Sequence, residues 1–176
     1  MDEVGTEASI LAMNALGAGI LLFVSGVVQR LMNEMDEPAF KQFAETLLRT
    51  ATSEPFTVTI GTIPIFAVIY YFLMYRLHHW WFTAGIVIWM IGSSITKITN
   101  LPVYNWIRDP NNTDPGELRK KRHTLQHGNI WRAWVTLLSV VVMACQFSLT
   151  ATGIAVASCA VIAAPSVWLA RHYFRD

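Results

Sequence analysis

Two stretches of this chain, Phe56 to Tyr75 and Trp80 to Thr96, contain no charged residue. Each is about as long as the roughly 17–25 apolar residues that cross a bilayer as a helix. Ala8 to Val28 and Ala133 to Thr150 are equally free of charge. Inside hydrocarbon the backbone must satisfy its own hydrogen bonds, and segments of this length do so as helices. The expectation is an all-α, polytopic membrane four-helix bundle in residues 1–150, with spans at about 8–28, 56–75, 80–98 and 131–149. A content of 53% apolar and 14% charged residues excludes the alternative of an ordinary water-soluble core of this size.

The segments between the spans carry their own patterns. Pro38 follows the acidic residues Glu34, Asp36 and Glu37, as at a helix start. Phe40, Phe43, Ala44, Leu47, Leu48 and Ala51 then recur at helical spacing, with Lys41, Gln42, Glu45 and Arg49 on other faces. This predicts an amphipathic interfacial helix at about 38–51 in the first long loop. Ala15 and Gly19 have the spacing that lets membrane helices approach closely. Tyr70, Tyr71, Tyr75, Trp80 and Trp81 fit an interfacial aromatic belt around a tight RLHH hairpin, with His78 and His79 read as solvated loop residues. Cys145 and Cys159 fall in apolar segments and read as small buried hydrophobes. The apolar stretch Thr152 to Ala170, within a 151–176 extension, fits either a fifth span or a segment lying along the surface. A fifth span would return Arg171 and Arg175 to the basic side.

Sidedness follows from Lys and Arg. The first long loop holds Arg30, Lys41 and Arg49. The second holds Arg108, Arg119, Lys120, Lys121, Arg122 and Arg132, whereas the hairpin has Arg76 alone. The positive-inside rule places both long loops in the cytoplasm and the N-terminus outside, in a bacterial inner membrane or a eukaryotic endomembrane. The acidic MDEVGTE start lacks the cationic region of a secretory signal, so the first span is expected to stay in the protein. No pattern of basic and aromatic residues suggests nucleic acid. The bilayer is the expected partner, with a homo-oligomer or a membrane-complex partner possible.

The polar residues of the chain concentrate between Asn100 and Arg132. Asp114-Pro115-Gly116-Glu117 is a helix start, with Asp114 as cap and Pro115 in the first turn. A helix from there into the fourth span carries Arg122, Leu125, Asn129 and Arg132 on one stripe, and His123, His127 and Trp134 on nearly the opposite one. His123 and His127 sit one turn apart, a spacing that can chelate a transition metal. Thr124 stands where a metalloprotease would have Glu, and Lys120, Lys121 and Arg122 oppose a cation, so the expectation is two interfacial histidines and no metal. The other stripe points to chemistry. An arginine carried to mid-bilayer costs about 2.5–3.5 kcal/mol and faces a bundle interior, although Arg132 is near enough to the boundary to snorkel instead. With Asn100 and Asn105, leaving the third span, the stripe is suited to an oxyanion, phenolate or carbonyl oxygen at the cytoplasmic mouth.

Asn100, Pro102 and Asn105 form an N-x-P-x-x-N pattern, and Arg122, Asn129 and Arg132 an R-x6-N-x-x-R pattern entering the fourth span. Together with the glycine-rich first span and its amphipathic segment, this resembles the anthrone oxygenase-like family of small integral membrane proteins, over roughly residues 8 to 149. Where the family pattern has Trp four residues before the Asn, this chain has Leu125. The resemblance implies cofactor-independent oxidation of a phenolic or quinone-like aromatic substrate by molecular oxygen. It assigns Asn129, Arg132, Asn100 and Asn105 to the reacting centre, and Arg122, Trp106, Leu125 and Trp131 to substrate contacts. No flavin, nicotinamide or haem motif is present. A non-enzymatic accessory or assembly subunit of a larger membrane complex is the alternative, and a small carrier or channel has least support.

Overall fold

A computed structural model describes residues 2–76 and 78–173. Leu77 in the hairpin and Arg175 lie outside the described residues. Six helices follow one another without a strand among the described residues. They are α1 (Glu3–Glu34), α2 (Glu37–Ser53), α3 (Pro55–Tyr75), α4 (Trp80–Ile107), α5 (Pro115–Ala144) and α6 (Leu149–Tyr173). Four of these starts are set by a carboxylate that accepts from the backbone N–H three residues on: Asp2 from Gly5, Asp36 from Ala39, Glu54 from Thr57 and Asp114 from Glu117. Such caps satisfy donors that the first helical turn leaves over.

Helices α1, α3, α4 and α5 form the bundle. α4 and α5 lie closest, because glycine removes the side chain where they cross. A Cβ at Gly85 would come within 3.0 Å of the Met143 nitrogen and the Ser139 carbonyl, and one at Gly92 within 3.1 Å of Thr136 Oγ1. The pair expected to serve this purpose, Ala15 and Gly19, is exposed, and nothing approaches Gly19. α2 closes one end: Phe40 and Ala44 bury against Val103, Ile107, Leu118 and Leu125. Its outer face is tied to α5 by Arg119, whose Nε is 2.6 Å from Glu37 Oε1. That bond holds the Glu37 carboxyl below the usual carboxylate range. The tie therefore persists through neutral pH and is lost as pH falls through the lowered value.

Four helices are long and apolar enough to cross a membrane: α1, α3, α4 and α6. The expected span at 131–149 falls mainly in α5, and the apolar stretch Thr152 to Ala170 falls in α6. α5 ends at Ala144, and the chain turns at Cys145 to Phe147 before α6 begins. His127, Asn129 and Arg132 fall within the final 18 residues of α5 and lower its hydropathy below that of the others. α5 is the central helix, with Leu125, Asn129, Ala133, Thr136 and Ser139 buried along one face. α6 is apolar and almost wholly exposed, leaving Cys159 at the surface and Cys145 half-buried.

Candidate functional site

The polar stripe of α5 meets two different partners. Its Asn129 joins a line of amides. Asn100 Nδ2 donates to Asn129 Oδ1 at 2.8 Å, Asn129 Nδ2 donates to Gln29 Oε1 at 3.0 Å, and Gln29 Nε2 donates to Asn33 Oδ1 at 3.0 Å. Gln126 accepts from Asn33 at the exposed end, and at the other Thr99 Oγ1, which gives its proton to the Ile95 carbonyl at 2.6 Å, lies 3.0 Å from Asn100 Oδ1. Gln29, Asn100 and Asn129 are buried. Both outer helices carry a wide π-helical turn at this level: Val24–Val28 directly before Gln29, and Thr96–Asn100. A π turn spreads five residues where the α-helix would place fewer, and it re-aims the side chains that follow. Asn129 thus spends both ends of its amide clasping α1 to α4, and this pair does not line an open mouth.

The remaining members of the expected site separate. Asn105 is exposed on α4. Arg122 stacks on the Phe40 ring at 4.6 Å and donates to the Asp36 carbonyl, so it secures the turn between α1 and α2. Leu125 is wholly buried in the apolar core beneath α2, where a Trp could not fit without repacking. Trp106 packs beside that core with Lys121 over its ring, while Trp131 points outward. His123 and His127 are exposed on the opposite face with ring centroids 4.4 Å apart, and no third ligand joins them among the described residues.

Arg132 takes a different course. It lines a partly open cavity of about 150 Å³ to which all four bundle helices contribute. Asn14 comes from α1, Thr57 and Pro64 from α3, Trp89 and Ser93 from α4, and Thr136 from α5. Among the described residues Arg132 has no hydrogen bond or ion pair; its electrostatic neighbour is the Tyr104 phenol. Asn14 faces the same space. Ser139 Oγ gives its proton to the Thr136 carbonyl at 2.7 Å, so it can only accept from Asn14 Nδ2, at 2.8 Å. This orientation leaves Asn14 Oδ1 buried without a partner. Pro64 has no N–H to offer the Ile60 carbonyl at the cavity wall.

The cavity therefore presents a cation, three hydroxyls and one unpaired amide oxygen beside an indole. Of the expected site residues it contains only Arg132. Asn14 was legible as the one amide within the otherwise apolar first span, but Trp89, Ser93 and Thr136 carry no signal in the sequence. Comparison with known proteins adds no relative: no family model, no curated protein and no solved structure matches this chain.

Proposed function

We propose that this integral membrane protein binds a small phenolic or quinone-like molecule in the Arg132 cavity, through an oxygen on its ring. The observation that carries the proposal is a guanidinium turned into a space of about 150 Å³ with no protein acceptor among the described residues. Arg132 is half-buried; holding a guanidinium partly out of water without a partner has a cost that an anionic or carbonyl oxygen would offset. The size narrows the ligand. A cavity of about 150 Å³ in another protein holds benzene, so a single ring fits within this space. Asn14 Oδ1 would accept from a phenol or hydroquinone hydroxyl, and Trp89 offers a face for the ring.

The oxidation implied by the resemblance needs a base to deprotonate the ring hydroxyl. The cavity lining supplies donors and a cation but no carboxylate or imidazole. Ligand binding is accordingly the better supported role, with turnover as its extension. By the charge rule the cavity lies toward the cytoplasmic half of the bundle.

The test is titration of the purified protein in lipid nanodiscs with a monocyclic benzoquinone and with its hydroquinone, read by quenching of tryptophan fluorescence. Replacing Arg132 with Gln should weaken binding about 10–150-fold, the equivalent of the 1.5–3 kcal/mol of a hydrogen bond to a charged group. Helicity and monodispersity should be unchanged. Equal affinity in the wild type and Arg132→Gln would remove the proposal.

An accessory-subunit role draws on α6, a helix apolar on all sides that is almost wholly exposed. In that case purification in mild detergent retains a second protein, and deletion of residues 149–176 releases it.

A further inference from the structure

At the other end of the bundle, four polar side chains and a phenol converge that the sequence kept apart as a tail, a belt and a loop. Glu7 is 1% exposed, and its Oε1 accepts from the Tyr71 hydroxyl at 2.9 Å. The same oxygen lies 2.6 Å from His79 Nδ1. Glu3, one turn earlier on α1, places Oε1 3.2 Å from His78 Nε2 and 3.6 Å from His79 Nδ1. The histidine pair is brought there by Arg76, which ends α3 with φ 60° and ψ −174°. That backbone region is nearly confined to glycine and costs about 1–3 kcal/mol.

We propose that Glu3, His78 and His79 form a binding site for a divalent transition metal, zinc first. Among the described residues this is the one group of three whose ligand atoms all lie within 4.8 Å of one another. The two Glu3 distances suit a metal better than direct pairing. Two ligands at about 2.1 Å from zinc across a tetrahedral angle are about 3.4 Å apart, close to the 3.2 and 3.6 Å observed. Charge-assisted hydrogen bonds are shorter, about 2.7–2.9 Å, and Glu3 Oε1 is buried without accepting one.

The surroundings agree. His78 Nδ1 is 2.7 Å from the Tyr75 carbonyl and can only donate to it, so the neutral ring keeps its lone pair on Nε2, facing Glu3. A carbonyl behind a ligating imidazole is the usual outer partner at a metal site, whereas Glu7 Oε1, 2.6 Å from the same His79 Nδ1 that faces Glu3, would give up that contact to the ion. Two carboxylates and two neutral imidazoles carry a charge of −2, which one divalent ion cancels. His78 is more than half exposed, leaving a route for the ion and a position for water. The site stands some 33 Å along α1 from the amide line, counting about 1.5 Å per residue from Glu7 to Gln29, and it does not depend on the Arg132 cavity.

Full-length protein without a polyhistidine tag would be stripped with chelator in nanodiscs and titrated with zinc, then with cobalt(II) for its visible spectrum. One zinc per chain and the intense bands of tetrahedral cobalt are expected. His78→Ala and Glu3→Gln should each weaken zinc binding more than about 100-fold, beyond the 10–100-fold cost of losing an outer partner. The double replacement of His123 and His127 by Ala should leave it unchanged. If His79→Ala does not fold, the first two variants still decide, because they leave the bond between Tyr71 and Glu7 in place. No zinc uptake at micromolar free metal would overturn the proposal, as would wild-type affinity in His78→Ala and Glu3→Gln. Loss confined to the His123 and His127 variant would overturn it too.

Discussion

Adding one methyl group at Gly128 is expected to destabilise the bundle by about 2–4 kcal/mol, although alanine is the better helix former by up to about 1 kcal/mol. The new Cβ would lie 2.7 Å from Thr99 Oγ1 and 3.1 Å from Asn100 Cγ, and closer still to Asn100 Oδ1. A side-chain end usually moves aside at little cost. Asn100 cannot, because it is 1% exposed and holds Asn129 through Nδ2. Overpacking costs about 1–3 kcal/mol, and each broken interhelical hydrogen bond in a membrane protein adds about 0.6–1.7 kcal/mol. Gly19→Ala is the matched control, since nothing stands within 4 Å of its Cβ position. It should be neutral or stabilise slightly. Unfolding in mixed detergent–SDS micelles measures both, and equal midpoints for the two variants would show that α4 and α5 do not meet as described.

Asn129→Ala should cost a similar amount, about 2–4 kcal/mol, by the opposite route. It leaves Asn100 Nδ2 and Gln29 Oε1 buried with nothing to bond, and each unsatisfied polar group costs about 1–3 kcal/mol. A double-mutant cycle with Asn100→Ala should return a coupling of about 0.6–1.7 kcal/mol. Asn33→Ala, at the exposed end of the line, should change stability by less than about 0.5 kcal/mol. Quinone affinity separates the roles of the stripe: Asn129→Ala should move it little per folded molecule, and Arg132→Gln should move it strongly. If Asn129→Ala abolishes binding while the unfolding midpoint stays in place, Asn129 belongs to the ligand and not to the clasp.

Much of the fold was legible from periodicity. The start of α5 at Asp114 and Pro115, the two stripes of α5 and the buried face of α2 all follow from spacing along a helix of 3.6 residues per turn. Leu125 and Asn129 are buried, and His123, His127 and Trp134 are exposed, as their angles require. The close approach of α4 and α5 was not legible. A glycine in a membrane helix looks the same whether it meets a neighbour, as Gly85 and Gly128 do, or open space, as Gly19 does. The sites were legible only in part, for a related reason. Periodicity says which face a residue shares but not which helix comes to meet it.

The charge-free runs alone decided that this chain is a helical membrane protein, because hydrocarbon leaves an exposed backbone no other partner than itself. Helical periodicity decided which faces of α2 and α5 turn inward. Tertiary structure decided what those faces do. Two neighbours on one stripe, Asn129 and Arg132, share a direction but not an environment: one meets Asn100 and Gln29 and is fully bonded, the other meets a cavity and is not. The same holds for Glu3 and His78, far apart in the chain and 3.2 Å apart in space. Hydrogen bonding and metal coordination act over about 2–4 Å, so only the packing of whole helices can bring such groups within range.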